Sequence, residues 1–378
     1  MSAFRLLIVE DQEQELSICR DTVARYKDEN QREVELIECR SVKEALEKLD
    51  NSFDGAIIDL RLADQGDEGN QVVNRIAESH FRIPVAILTG TPDAADLDFA
   101  YIGVFKKGDP GAGYADLLDR FWGIHNTGLT RIMGGRGIIE ETLNKVFREN
   151  LVPEQYRKKW VEYGEKDSSR TEKALLRHAL SHLLQLLDDD GECCFPEEVY
   201  LAPPLTPNIR TGSIVNNKNS GQWFAVMNPA CDLVVRQNGG FKTERILLVE
   251  IETESKITNL ATRKIANNDD KIKKLTEIFH NNYTAYHHWL PKTAFFEGGF
   301  LNFRKISSYK KKDFNNYFEA PSIQISPHFV KDIVARFSSY YARQGQPDIE
   351  CDGFITHLTM PPEAPQPTVT GGRTKPIL

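Results

Sequence analysis

Between residues 4 and about 122 the sequence alternates short, almost wholly apolar runs with amphipathic stretches, five times over. Few architectures satisfy that rhythm. A strand buried on both faces reads as a continuous apolar run, and the stretch after it must supply a helix to cover the sheet. Repeated units of this kind build an α/β layer structure in which helices flank a parallel sheet on both sides. The predicted strands are 4–9, 34–39, 55–60, 84–89 and 102–105.

The intervening stretches carry apolar residues at helical spacing: Ala45, Leu46 and Leu49 behind Ser41 as N-cap, and Val72, Val73 and Ile76 behind Asn70. A fourth helix is expected before the last strand, and a fifth from Tyr114 to about Trp122. Beyond it Gly123, Gly128, Gly134, Gly135 and Gly137 interrupt the pattern, which places a boundary near residue 125. Residues 126–191 are expected to be a helical connector, with helices at 138–149 and 171–187 joined by a polar stretch and Asp188–Gly191 closing the second. From residue 192 prolines and short strand-like runs take over, at 212–215, 223–227 and 246–251, which suggests an α+β domain containing a small β-barrel or sandwich. A helical insertion at 257–290, a hairpin at 296–308 and a closing helix at 328–343 complete it. The last segment, 359–378, is rich in Pro, Gly and Thr and is expected to be disordered.

Composition sets limits on function. The 378 residues carry a net charge of −8, which argues against wholesale nonspecific binding of nucleic acid. No run of eighteen apolar residues exists and the apolar start is short and ends in acids, so a cytoplasmic protein without membrane contact is expected. Six cysteines, at 19, 39, 193, 194, 231 and 351, show neither a zinc spacing nor a disulfide framework, and are expected to be reduced and mostly buried.

In a doubly wound sheet, functional groups gather at the carboxyl ends of the strands. Here that rule selects Glu10 and Asp11 after the first strand, Asp59 on the third, Thr89 on the fourth, and Lys106 and Lys107 after the fifth. Three carboxylates so close would repel one another, and a hard divalent cation with oxygen ligands relieves this, so a magnesium site is expected. Phosphoryl transfer needs mainly positioning and charge neutralisation. Asp59 is then an in-line nucleophile toward a phosphohistidine or small phosphodonor, with Thr89 available to hydrogen-bond a phosphoryl oxygen.

These residues resemble the response-regulator receiver family of two-component signalling, through LLIVEDQ, AIIDLRL, VAILTGTP and VFKKGDP. The resemblance covers roughly the first third of the chain, residues 1–125. It implies a flavodoxin-like doubly wound five-stranded parallel sheet, Asp59 as phosphoacceptor, and magnesium held by Glu10, Asp11, Asp59 and the main-chain carbonyl of Arg61. It further implies Thr89 as the switch hydroxyl and Lys107 as the phosphate-binding lysine, with Lys106 the alternative. A cognate histidine kinase or phosphotransfer protein is the implied partner, and the fourth and fifth helices offer a face for a homodimer or for the connector. Two departures stand out. The lysine is doubled and followed by Gly108, and Val104 stands where many members carry an aromatic switch residue, with Phe105 one position late. A loop at 63–68 follows the third strand.

Residues 192–358 offer less. No pair of short helices with a basic recognition helix is present, so transcription-factor output is not expected. Cys231 in WFAVMNPACDLV lacks a recognisable base, and a buried thiol beside a turn-forming Asp232 is the preferred reading. Basic residues at 263, 264, 271, 273, 274 and 310–312, with Tyr283, Tyr286, His287, His288 and Trp289 between them, could contact single-stranded nucleic acid, although lysines on an exposed helix usually only solvate it. Phe337, Tyr340 and Tyr341 have the spacing of core packing or a partner interface. Three functions are compatible with this sequence: a regulator controlling a C-terminal interaction module, a phosphate-sink receiver in a multi-component bacterial relay such as a defence system, and a phosphorylation-regulated nuclease or hydrolase.

Overall fold

The computed structural model describes residues 3–63, 66–96, 101–187, 193–234, 242–343, 345 and 348–359. The chain forms two compact units, residues 1–191 and 192–378.

In the first unit, β1 (Phe4–Val9), α1 (Glu13–Asn30), β2 (Val34–Cys39), α2 (Val42–Lys48), β3 (Gly55–Ile58), α3 (Asn70–Glu78), β4 (Val85–Thr89), β5 (Gly103–Lys106) and α4 (Tyr114–Asn126) succeed one another. The five strands are parallel in the order β2-β1-β3-β4-β5, the flavodoxin-like order. Alternation explains why the inner strands read as nearly unbroken apolar runs. Leu6, Ile8, Ile57 and Leu88 face α1 and α4, whereas Leu7, Val9, Ile58 and Ile87 face α2 and α3. Ser41 caps α2 as expected, its hydroxyl accepting from the Glu44 amide at 3.2 Å.

Between β4 and β5 the expected fourth helix is not found among the described residues. Pro92 opens a single 3-10 turn, Pro92–Ala94, and Ala95 leaves it in extended conformation; residues 97–100 lie outside the described residues. The fifth expected helix is α4. Among the described residues, α4 alone belongs to the face expected to be shared by a fourth and a fifth helix.

After α4 come α5 (Leu129–Met133), α6 (Ile138–Val146), α7 (Glu154–Lys166) and α8 (Ser168–Leu184). The glycine-rich stretch is not loose. The Gly135 amide donates to the Asn51 carbonyl at 3.0 Å, Arg136 pairs with Asp54 at 3.2 Å, and Arg82 pairs with Glu140. A Cβ on Gly135 would lie 2.2 Å from the Asn51 carbonyl oxygen, so this close approach needs glycine. Helix α7 occupies the stretch expected to be only polar, and α8 begins at Ser168 because Asp167 caps it, accepting from the Arg170 amide at 3.0 Å. Residues 188–191, expected to close that helix, lie outside the described residues.

The second unit is built on one antiparallel sheet, ordered β10-β11-β9-β8-β7-β12-β6. Its elements are β6 (Tyr200–Leu201), β7 (Ser213–Asn216), β8 (Trp223–Val226), β9 (Arg245–Glu252), α9 (Glu254–Thr262), α10 (Asn268–Phe279), β10 (His287–Leu290), β11 (Gly299–Lys310), α11 (Lys311–Tyr317), β12 (Ile323–Ile325), α12 (Pro327–Ala342) and α13 (Asp352–Thr359). Two expectations are corrected. The helical insertion ends at Phe279, and 287–290 is a strand. The expected hairpin at 296–308 is instead the single long strand β11, paired with β10 on one side and β9 on the other, with a bulge between Leu301 and Ile306. Ile333 of α12 packs into the core beneath this sheet. The expected disordered tail lies outside the described residues from residue 360 onward.

The cysteines divide differently from expectation. Cys19 and Cys39 are buried in the first unit, but Cys193, Cys194, Cys231 and Cys351 are exposed. No helix of the described residues is long and apolar enough to cross a membrane.

Candidate functional site

The parallel sheet assembles the site through register. Val9 pairs with Ile58, so the residues that follow, Glu10 and Asp59, leave adjacent strands side by side, and the Asp59 amide donates to the Val9 carbonyl at 2.9 Å. Carboxylate oxygens of Glu10, Asp11 and Asp59 all lie within 4.8 Å of one another. Glu10 and Asp59 are buried, each 2% exposed, while Asp11 is open to solvent. Three hard oxygen donors of this kind fit a divalent cation of the magnesium class.

The structure separates the two lysines. Lys106 ends β5 opposite Thr89 and is exposed. Lys107 follows the strand, its amide donating to the Thr89 carbonyl at 2.9 Å, and its Nζ reaches both Glu10 Oε2 and Asp59 Oδ2 at 2.6 Å. Neighbours on an extended chain point to opposite sides, so only one of the pair can enter the site.

Burial pushes the Glu10 carboxyl up to about 6, although its hydrogen bond with Lys107 opposes the shift. Burial disfavours the Lys107 ammonium, but hydrogen bonds to Asp59 and Glu10 outweigh it and raise the pKa. The site thus holds a half-buried positive charge between two buried carboxylates.

Thr89 is fully buried, and its hydroxyl accepts from the Thr91 amide at 3.3 Å. Arg61 donates its amide to Asp59 Oδ1 at 3.1 Å, which fixes the carboxylate orientation. Within the 63–68 loop, Glu68 accepts from the Gly66 amide at 3.0 Å; residues 64 and 65 lie outside the described residues. Gly69 is a contributor that sequence reading passed over. Its amide donates to the Leu60 carbonyl at 2.9 Å, and a Cβ there would lie 2.2 Å from the Asp59 carbonyl oxygen. One signal for it was a glycine immediately before a helical pattern.

On β5, Phe105 lies across Gly103, where a Cβ would meet its ring at 2.5 Å, and the Arg120 guanidinium sits 5.1 Å from the ring centroid. Val104 faces the other way and is exposed.

The second-unit candidates are placed less favourably for chemistry. Cys231 lies exposed on the turn Ala230–Asp232, its Sγ 3.9 Å from Asp232 Oδ1. The expected turn exists, but the thiol is not buried in it. His287 and His288 are buried on β10, and Tyr283, Tyr286 and Trp289 are half-buried beside them, so these rings are committed to packing. Lys274 pairs with Glu277 at 2.7 Å and lies over the Tyr283 ring. Phe337 packs on Phe303 with ring centroids 5.5 Å apart, and the Tyr341 hydroxyl donates to the Phe303 carbonyl. Glu252 at the end of β9 is buried, with Lys256 at 2.6 Å, Lys305 at 3.0 Å and Asn302 at 2.6 Å.

No family model and no curated protein matches the sequence. Among solved structures, the first third of the chain is similar to response-regulator receiver domains. A receiver protein from Pseudoalteromonas atlantica matches at 14% identity over 33% of this chain and 98% of its own, with a TM-score of 0.27. A receiver domain protein from Clostridium thermocellum matches at 20% identity over 35% of this chain and 100% of its own, with a TM-score of 0.29. A CheY-like receiver domain from Methylobacillus flagellatus gives 17% identity, 32% and 99% coverage, and a TM-score of 0.26.

Proposed function

We propose that the first unit is a phosphoacceptor receiver in which Asp59 takes a phosphoryl group in a magnesium-dependent reaction, and that this modification regulates the second unit. The observation that carries the reading is the convergence of Glu10, Asp11 and Asp59 with the Lys107 ammonium at the carboxyl ends of a flavodoxin-ordered sheet.

An Asp59 carboxylate oxygen attacks phosphorus in line as the bond to the donor nitrogen or oxygen breaks, giving an aspartyl phosphate. Lys107, already 2.6 Å from Asp59, neutralises charge on the transferred group. Thr89 supplies a hydroxyl donor from the neighbouring strand, and the Arg61 amide steadies Asp59. Glu10, Asp11 and Asp59, with the Arg61 carbonyl, would hold magnesium, which when bound supplies Lewis-acid neutralisation of the phosphoryl oxygens. The donor would be a histidine kinase or phosphotransfer protein.

The phosphate-sink reading is favoured by two features. The described residues between β4 and β5 hold no α-helix, and Val104 offers no aromatic ring, so the usual elements of an output switch are reduced.

Intact-mass measurement after incubation with a small phosphodonor tests the main reading. Wild type should gain one phosphoryl group only with magnesium present, and Asp59→Asn should gain none. Equal labelling of the two would refute the assignment.

A further inference from the structure

The helical segment after the receiver is built like half of a core. Between residues 138 and 187 only Val146 and Thr171 are buried, whereas the thirteen-residue α4 alone buries five side chains. On α8 the division is sharp. Leu175, His178, Ala179, His182 and Leu183 are half-buried on the side facing α6 and α7, with the His178 ring 6.0 Å from Trp160. The opposite side presents Leu176, Leu180, Leu184 and, just beyond the helix, Leu187, at 60%, 49%, 46% and 59% exposure. Their spacing of four, four and three is that of an apolar seam along a helix.

Four leucines at about half exposure leave roughly 400 Å² of apolar surface in one stripe, within the ~300–600 Å² range of the largest patch a monomer carries and often a functional one. Two such stripes face to face would remove roughly 800 Å² from water. The stems of Lys173 and Arg177 beside the seam bring the total toward the ~1,200 Å² at which specific interfaces begin.

We propose that this stripe is the contact between two copies of the chain, with the two α8 helices packed antiparallel across a two-fold axis near Leu180. The three leucines of the helix itself are self-complementary under that operation, since Leu176 of one copy meets Leu184 of the other and Leu180 meets its own copy, while Leu187 meets the Lys173 stem. Charge selects the direction. The cations of α8, Arg170, Lys173 and Arg177, all lie before Leu180, and none lies from Leu180 to Leu187. Antiparallel pairing keeps the two cationic groups at opposite ends and opposes the helix dipoles, whereas parallel pairing would set like charges together. This contact differs from the α4 face and does not depend on phosphorylation of Asp59.

Sedimentation of the full chain, with the four exposed cysteines changed to serine, provides the test. Wild type at micromolar concentration should sediment at twice the chain mass, and Leu180→Asp, an exposed substitution, at the single mass with an unchanged circular-dichroism spectrum. Leu180→Cys should form an interchain disulfide on mild oxidation. A mixture of Leu176→Cys and Leu184→Cys should cross-link more than either alone. A monomeric wild type, a dimeric Leu180→Asp, or a Leu180→Cys thiol shielded from alkylation within a monomer would each overturn the proposal.

Discussion

Gly69 stands so close to Asp59 that a Cβ on it would lie 2.2 Å from the Asp59 carbonyl oxygen. The contact is with backbone, which cannot swing aside as a long side chain can. Gly69→Ala should therefore shift the strand end that carries Asp59, at about 1–3 kcal/mol of stability. It should also slow labelling of Asp59 by a small phosphodonor. Urea unfolding and time-resolved intact mass check the two effects, and a variant equal to wild type in both would show that the loop relaxes freely.

Glu10 should make the first unit, without metal, less stable as pH rises. Its folded pKa is raised to about 6 from 4.5, chiefly by burial. The folded state then binds more protons than the unfolded state between those values. The contribution is full below about pH 4.5 and is lost as pH passes 6, a change of about 2 kcal/mol. Glu10→Gln should flatten this dependence, and millimolar magnesium should raise the melting temperature of wild type at pH 7 but much less that of the variant. Thermal scans in chelator and in magnesium across pH 4.5–7.5 measure both.

Glu252 should act with the opposite sign in the second unit. Burial raises its pKa, but hydrogen bonds from Lys256, Asn302 and Lys305 overcome this and hold it at about 2. Its stabilisation is present above about pH 4.5 and is lost as pH falls toward 2. Both lysines are partly exposed, which screens the pair, so a loss of about 1–2 kcal/mol is expected. Acid unfolding of Glu252→Gln should lack this component; an unchanged acid midpoint would argue that the network adds nothing.

If phosphorylation of Asp59 switches the first unit, the change should travel through loops rather than through a rotating ring. Negative charge on Asp59 should draw Lys107 and Thr89 inward and move the backbone near Gly90 and Gly108, while Phe105 stays packed over Gly103 beneath Arg120. Hydrogen exchange with and without beryllofluoride should show altered protection within residues 90–145, including the Gly135 amide held by Asn51. Changes confined to the immediate surroundings of Asp59 would favour the phosphate sink.

What the sequence by itself determined is local in origin. Short, mostly apolar runs between polar stretches mark strands, so β1 and β2 could be bounded to the residue although Arg5, Glu35 and Glu38 interrupt them, and Glu10, Asp59 and Thr89 could be placed at strand ends without knowing their neighbours. Ser41 announced its helix because a cap acts within one turn. Tertiary structure decided whatever depends on partners distant in the chain. Lys107 rather than Lys106 reaches the acids because the chain turns after β5 and Thr89 holds the Lys107 amide. Gly69 matters only because the loop folds back on Asp59. In the second unit β6 and β12 are two and three residues long and pair across more than a hundred residues, and β11 accepts partners on both sides through a bulge. Strands so short carry almost no periodicity, and their pairing is fixed by a shared core that no single segment encodes.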